Sequence, residues 1–142
     1  MYSYINLKKS LLTRCLDLIE DNFSIKFTRK TYQNKHLEIF FKLHWLKGTV
    51  MSTALVIKRD NYWHITHIVT QECYQGSGYA KKLLNKIIKQ AKKSKISYLS
   101  CNVKEEDFKS QNLFRSCNFN YQTDLPKGAK VKEGFKFYSY EF

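Results

Sequence analysis

The sequence predicts an α/β fold with a mixed, mostly antiparallel sheet flanked by helices. Three observations carry that prediction. Apolar residues recur at helical spacing near the start of the chain and again after residue 78, short β-patterned runs follow one another between those two stretches, and a glycine-bearing loop joins the last of the runs directly to the second helix. Strand, loop, helix and a further β-rich run make a βαβ crossover, which a purely antiparallel sheet does not contain.

The elements follow in order. Between Ile5 and Phe23, Leu7, Leu11, Leu12, Cys15, Leu18 and Ile19 fall on one helical face, and Asp21-Asn22 supplies a stop. Leu37, Ile39, Phe41, Leu43 and Trp45 then alternate with His36, Glu38, Phe40, Lys42 and His44, the pattern of a strand with one buried face. A turn at Lys47-Gly48 leads to a second strand from Thr49 to Lys58, and Arg59-Asp60-Asn61 to a third from Tyr62 to Thr70, which together suggest an antiparallel meander. After Gly78, residues Ala80, Leu83, Leu84, Ile87, Ile88 and Ala91 form an uninterrupted apolar stripe, with Lys81, Lys82, Lys86, Lys89, Lys92 and Lys93 on the solvated face of the same helix. Ile96 to Val103 reads as a strand, parallel to the third or splayed from it. Asp107 to Cys117 reads as a helix with Phe108, Leu113 and Phe114 on its apolar side, Phe119 to Gln122 as extended, Asp124 to Glu133 as a loop, and Phe135 to Phe142 as the last strand.

The whole chain sets bounds on these elements. At 142 residues with no repeat, low-complexity tract or Pro/Gly linker, residues 1–142 are expected to form one domain. Hydrophobic residues at 43% and aromatics at 15% are enough apolar surface to argue against disorder. The start lacks the basic-then-apolar order of a secretion signal, and no apolar run approaches the ~20 residues that span a bilayer, so the expectation is a soluble cytoplasmic protein with no membrane partner. Cys15, Cys73, Cys101 and Cys117 are widely spaced, without a C-x-x-C pair or a nearby histidine at zinc-finger spacing, which points to reduced thiols and no metal. The net charge of +13 has two readings. It favours an acidic partner such as nucleic acid, an acidic protein or a phosphate-rich cofactor. The plainer reading takes precedence: with Lys, Asn, Ile and Tyr abundant and only Arg14, Arg29, Arg59 and Arg115 as arginine, the charge matches the composition bias of AT-rich coding.

The sharpest chemistry lies in Gln75-Gly76-Ser77-Gly78-Tyr79-Ala80. A strand that stops at such a loop and feeds a helix leaves several backbone N–H groups pointing one way at the positive end of the helix dipole, and such a terminus binds phosphate. Gly76 and Gly78 remove side chains that would block close approach. The loop has neither the G-x-x-x-x-G-K-[ST] spacing of a triphosphate-binding loop nor the three-glycine dinucleotide pattern, and an ordinary strand-to-helix turn would also use two glycines.

The loop resembles the Q/R-x-x-G-x-G/A signature of the GNAT acetyltransferases at every fixed position, and the resemblance extends over roughly Leu37 to Phe142. The amphipathic helix follows the motif as in the family, Leu113-Phe114-Arg115-Ser116-Cys117-Asn118-Phe119 is similar to the family's helix end, and Gly134 to Phe142 to its last strand. The resemblance implies the GNAT fold, with a sheet splayed between the family's fourth and fifth strands, and acetyl-CoA as cosubstrate without a metal. It implies that backbone groups of Gln75, Gly76, Ser77, Gly78, Tyr79 and Ala80 hold the pyrophosphate, that Ile68, Val69 and Thr70 offer backbone hydrogen bonds to the pantetheine arm, and that Phe114 lies beside the cofactor. The reaction implied is direct attack of a primary amine on the thioester, which needs proximity and proton removal.

His64 is the first candidate base. It stands fourteen residues before Gly78, where histone-type members carry a glutamate, and strict alternation puts it on a strand face with Thr66 and Ile68. It also reads as an ordinary strand histidine, and His67 on the opposite face reads as structural. Glu72 at the strand end is the second candidate. Phe114 occupies the place where many members have a tyrosine that protonates the departing thiolate, so Tyr121, Tyr98 or no protein acid takes that role. The acceptor implied is a protein lysine or N-terminus, a small molecule or an aminoacylated RNA, for a monomer or homodimer. The alternative is a catalytically weak module of the same fold that binds nucleic acid or an acidic protein through its basic surface.

Overall fold

The computed structural model describes the backbone of residues 4–28 and 34–142, and side chains from residue 11 onward within those ranges. Met1–Ser3 and the side chain of Leu7 lie outside what is described. Helix α1 (Tyr4–Phe23) is followed by strands β1 (Leu37–Leu43), β2 (Val50–Lys58) and β3 (Tyr62–Thr70), a 3-10 turn at Glu72–Tyr74, helix α2 (Tyr79–Lys93), strand β4 (Tyr98–Lys104), helix α3 (Phe108–Ser116), and strands β5 (Asn120–Gln122) and β6 (Phe135–Glu141). They build a six-stranded sheet in the order β1-β2-β3-β4-β6-β5, antiparallel except between β3 and β4. This is the GNAT fold. No helix among the described residues is long and apolar enough to cross a membrane.

Helices cover the sheet on both sides. On one side, Leu16 and Ile19 of α1 pack on Leu55, with Leu37, Ile39 and Val69 around them. On the other, Leu83, Leu84, Ile87 and Ala91 of α2 pack with Val56, Trp63, Ile65 and Leu99, and Phe114 of α3 joins the same core. Each aliphatic side chain buried there is worth about 1.5–3 kcal/mol, so the α2 stripe anchors the helix far more firmly than intrinsic propensity would. The six lysines of its outer face are exposed, and Lys92 and Lys93 fall in the last turn, where the helix dipole favours cations.

Two-sided cover corrects the expectation for β1. The residue most deeply buried there is Phe40, which faces α2 and lies beside Trp63, whereas Leu37 and Ile39 are partly buried toward α1. Glu38 pairs with Lys58 on the α2 side, and the Lys58 ammonium sits 4.2 Å from the Trp63 ring. The strand also stops before Trp45, which is 87% exposed in the turn that follows. There His44 Nδ1 accepts the amides of Leu46 and Lys47, so local hydrogen bonding ends the ladder. In α3, Phe108 is 68% exposed because it is the first helical residue, and the polar Gln111 takes the inner position beside Phe114.

Two irregularities position the site. The parallel pairing of β3 with β4 runs from Tyr62↔Tyr98 to Ile65↔Cys101 and stops, while β3 continues to Thr70 and β4 to Lys104, so the strands part beyond that point. Beside the fork, Leu55 pairs with His67 but Val56 pairs with Ile65, which makes Thr66 the extra residue of a β-bulge. Its hydroxyl donates to the Leu55 carbonyl.

The four cysteines are free thiols, with Cys15, Cys101 and Cys117 buried and Cys73 exposed. Complete burial pushes the Cys101 thiol well above its ordinary pKa, leaving it unreactive.

Candidate active site

The loop after β3 has the geometry its glycines suggest. Gly76 and Gly78 sit at φ of +83° and +80°, where glycine avoids the strain an L side chain would meet, and open space lies where each Cβ would be. Gly78 stands at the N-cap of α2 without a side-chain cap, the first turn of α2 holds no acidic residue, and the amides of residues 76 to 81 donate to no acceptor among the described residues. Gln75 braces the loop: its Nε2 donates to the Thr70 carbonyl at 3.1 Å, and its Oε1 accepts from Lys109 Nζ at 3.0 Å.

Those amides open into a groove of about 400 Å³ whose walls include Ile68, Val69, Thr70, Gly76, Gly78 and Leu113, with Lys81 and Lys109 adding positive charge. Asp107 also lines it, but one of its oxygens caps α3 by accepting the Ser110 amide at 3.1 Å. The groove shares Asn22, Phe23, Ile68, Asp107 and Ser110 with a second cavity of about 460 Å³, which fills the fork between β3 and β4. Thr66, His67, Cys101, Asn102 and Phe114 are among the residues around that fork.

Backbone direction decides which strand groups face the opening. The Val69 carbonyl accepts from Ser52 Oγ at 3.0 Å and the Gln71 amide donates to Met51 at 2.8 Å, so the odd-numbered backbone groups turn toward β2. Ile68 and Thr70 therefore present theirs to the parted side, while Val69 contributes wall alone.

The bulge rearranges the histidines. Past it the alternation slips by one, so His64 and His67 share the α1 face and Ile68 turns to the α2 face with Ile65, against the expectation that His64 and Ile68 lie together. His64 Nδ1 lies 2.8 Å from Ser100 Oγ. Burial, and then the charge of His67, hold the His64 pKa below its ordinary value, and burial does the same for His67. His67 contacts the rings of Phe23 and Phe27 at centroid distances of 4.8 and 6.0 Å and has Nδ1 3.0 Å from Thr66 Oγ1.

The remaining predicted residues divide clearly. Phe114 is buried at the fork with its ring 5.2 Å from that of Phe119, edge to face. Glu72 is exposed in the turn after β3 and lines neither the groove nor the fork. Tyr121 stands at the far edge of the sheet against Tyr138 and Lys136, away from both cavities. Tyr98 stacks flat on Tyr62, centroids 5.1 Å apart, and burial raises its pKa, with Tyr62 adding to the effect.

Three residues were not legible as site residues. Ser100 positions His64, Asn102 projects a buried side-chain oxygen with no hydrogen-bond partner, and Gln111 ties α3 to the end of β4. Only the last carries a sequence signal, as a polar residue at an inner helical position.

Such an arrangement can grip linked phosphates at the loop and guide an extended arm along the edge of β3 into the fork. Known proteins share the fold that carries it. A search of curated proteins finds no significant match, but solved structures match across nearly the whole chain. Tetrahymena GCN5 is 18% identical with a TM-score of 0.76, over 96% of this chain and 88% of its own. The ribosomal-protein-S18-alanine N-acetyltransferase of Escherichia coli is 17% identical with a TM-score of 0.75, over 93% and 88%. An acetyltransferase of the GNAT family from Staphylococcus aureus is 19% identical with a TM-score of 0.73, over 99% and 95%. At these identities the likeness shows the fold. Family membership rests on the sequence itself: residues 10–119 match the acetyltransferase (GNAT) family, to which this chain belongs.

Proposed function

We propose that this chain, as one domain, is an acetyl-CoA-dependent N-acetyltransferase that acts on a primary amine by direct attack. The observation that carries the reading is the row of unengaged amides at residues 76–81, opening into a groove that leads to the fork. When bound, acetyl-CoA supplies an acetyl group already activated as a thioester. The loop amides and the N-terminus of α2 hold its pyrophosphate, with Lys81 and Lys109 adding charge. The free backbone groups of Ile68 and the Thr70 amide orient the arm along β3, the Thr70 carbonyl being held by Gln75.

His64 is the general base. With Nδ1–H donating to Ser100 Oγ, its Nε2 lone pair is free to take a proton from the amine, and its lowered pKa keeps the ring neutral near pH 7. No tyrosine hydroxyl lines the fork cavity among the described residues, so the chain offers the departing sulfur no tyrosine proton there. A thiol pKa of roughly 8.5 makes that omission tolerable.

The test is direct. Acetyl-CoA should raise the Tm, by the free energy RT ln(1 + [L]/Kd), and a panel of primary amines, including peptide N-termini, lysine side chains, small amines and aminoacylated RNA, should release free thiol from it. Gly78→Glu, which puts bulk and negative charge where the pyrophosphate would sit, should abolish the thermal shift. An unchanged Tm at saturating acetyl-CoA overturns the proposal. Salt-sensitive RNA or DNA binding without thiol release would favour the basic binding module instead.

A further inference from the structure

A third cavity, of about 200 Å³, opens at the sheet near the fork and is lined by residues of β3 and β4 together with the loop after β5. Arg59, Lys127 and Lys130 line it, no carboxylate does, and none of these three cations has an ion-pair partner among the described residues. Tyr62 and Tyr98, stacked with an interplanar angle of 3°, add a flat aromatic wall. His64 and Ser100 line it as well.

Asn102 connects this cavity to the fork, since it lines both. Its Oδ1 is buried and unpartnered. A buried amide oxygen without a hydrogen bond is destabilising, and the cost disappears when an N–H donor arrives. Such a donor would stand between the thioester end of the cofactor site and His64, where an acceptor amine has to be. At the other end, unpaired cations in a concave site attract an anion and reject a like charge. The volume is about six or seven waters, which suits a short aliphatic amine.

Resting on the acetyltransferase reading, we infer that the acceptor is a small amine carrying an anionic group, its nitrogen at Asn102 and its carboxylate or phosphate against Arg59, Lys127 and Lys130.

Isothermal titration of the protein, alone and with saturating CoA, with matched probes tests this without relying on turnover. The pairs are 4-aminobutanoate with 4-aminobutanamide, and 2-aminoethyl phosphate with ethanolamine. At least one anionic probe should bind tenfold or more tightly than its neutral partner, and the larger ratio of the two identifies carboxylate or phosphate as the group read. In R59A/K127A/K130A that ratio should fall to within about threefold of one, while the rise in Tm with acetyl-CoA reports that the variant is folded. Asn102→Leu should weaken both members of a pair alike, because it removes the partner of the shared amine. Equal affinity within both pairs overturns the inference, as does a ratio that survives the triple substitution, or an Asn102→Leu protein that binds both members as before. If the anionic preference holds but acetyl-CoA neither shifts the Tm nor releases thiol, the acetyltransferase reading has failed and the anionic-amine site stands.

Discussion

His64 and His67 act as a pair because of one residue between them. Thr66 is the extra residue opposite β2, and in a regular ladder that paired Thr66 in its place His67 would turn to the α2 face. Nothing in the local sequence marks that bulge: it has no glycine, and the β-branched residues around it suit a regular strand. Strict alternation therefore misplaces both Ile68 and His67 relative to His64, which lies before the bulge. For a base that works as neutral imidazole, a pKa held below about 6.5 puts the acidic limb of kcat/KM below that pH, with the group fully available above it. His64→Gln should lower kcat by about 10²–10⁴-fold and remove the acidic limb; a limb that persists unchanged would mean that another group titrates there. The same shifts bear on stability. Both folded-state values lie below the unfolded value of about 6.5, so the stabilisation is complete above that pH and drains away as pH falls through the folded values. Thermal melts should show Tm declining from pH 7 to pH 5, and the His64→Gln/His67→Gln double variant should decline less steeply over that range.

Among the elements, α2 was the most legible, because its four-residue and three-residue apolar spacings leave one solution and the loop before it is marked by glycine. The short α3 was legible as a helix but not in its orientation, since an aromatic at its first position draws the apolar face toward Phe108, whereas packing selects Gln111. That glutamine, 1% exposed, donates through Nε2 to the carbonyls of Lys104 at 3.1 Å and Glu105 at 2.8 Å, and accepts through Oε1 from the Tyr138 hydroxyl at 3.1 Å. Arg115 in turn donates to the Tyr138 oxygen at 3.2 Å. These bonds fasten α3 where β4 has left β3, and so fix one wall of the fork. Gln111→Leu keeps the apolar bulk but strands the Glu105 carbonyl and the Tyr138 hydroxyl proton, while the Lys104 carbonyl keeps the Asp107 amide; each stranded group costs about 1–3 kcal/mol if no water reaches it. The expected loss is about 2 kcal/mol or more, read as a fall in Tm of roughly 4–8 °C, together with a higher KM for acetyl-CoA. A fall in Tm without any change in KM would show that the network stabilises the fold and leaves the groove width alone.

At the scale of the molecule, the mixed sheet, the crossover and the parted strands followed from pattern and resemblance, but the arrangement of cavities along β3 and β4 did not, because it depends on which strands stop pairing and where a loop folds back. Charge is the other property that belongs to the whole chain. With a net +13 and an ion pair in evidence only between Lys58 and Glu38 among the described residues, the folded state concentrates positive charge that it scarcely compensates. Salt should then act in opposite senses on two measurements. Raising ionic strength from about 0.05 to 0.5 M shortens the screening distance from roughly 14 to 4 Å, which relieves self-repulsion and should raise the Tm of the protein alone. The same screening weakens the attraction of Lys81, Lys109 and the surrounding lysines for a polyanionic cofactor, so the Kd for acetyl-CoA should rise over that interval even as the protein becomes more stable. An unchanged Tm would mean that the lysines lie too far apart to repel one another appreciably, and a Tm that falls with salt would mean that attraction between unlike charges outweighs their repulsion. A Kd that stays constant would place the pyrophosphate's binding energy in the loop amides alone.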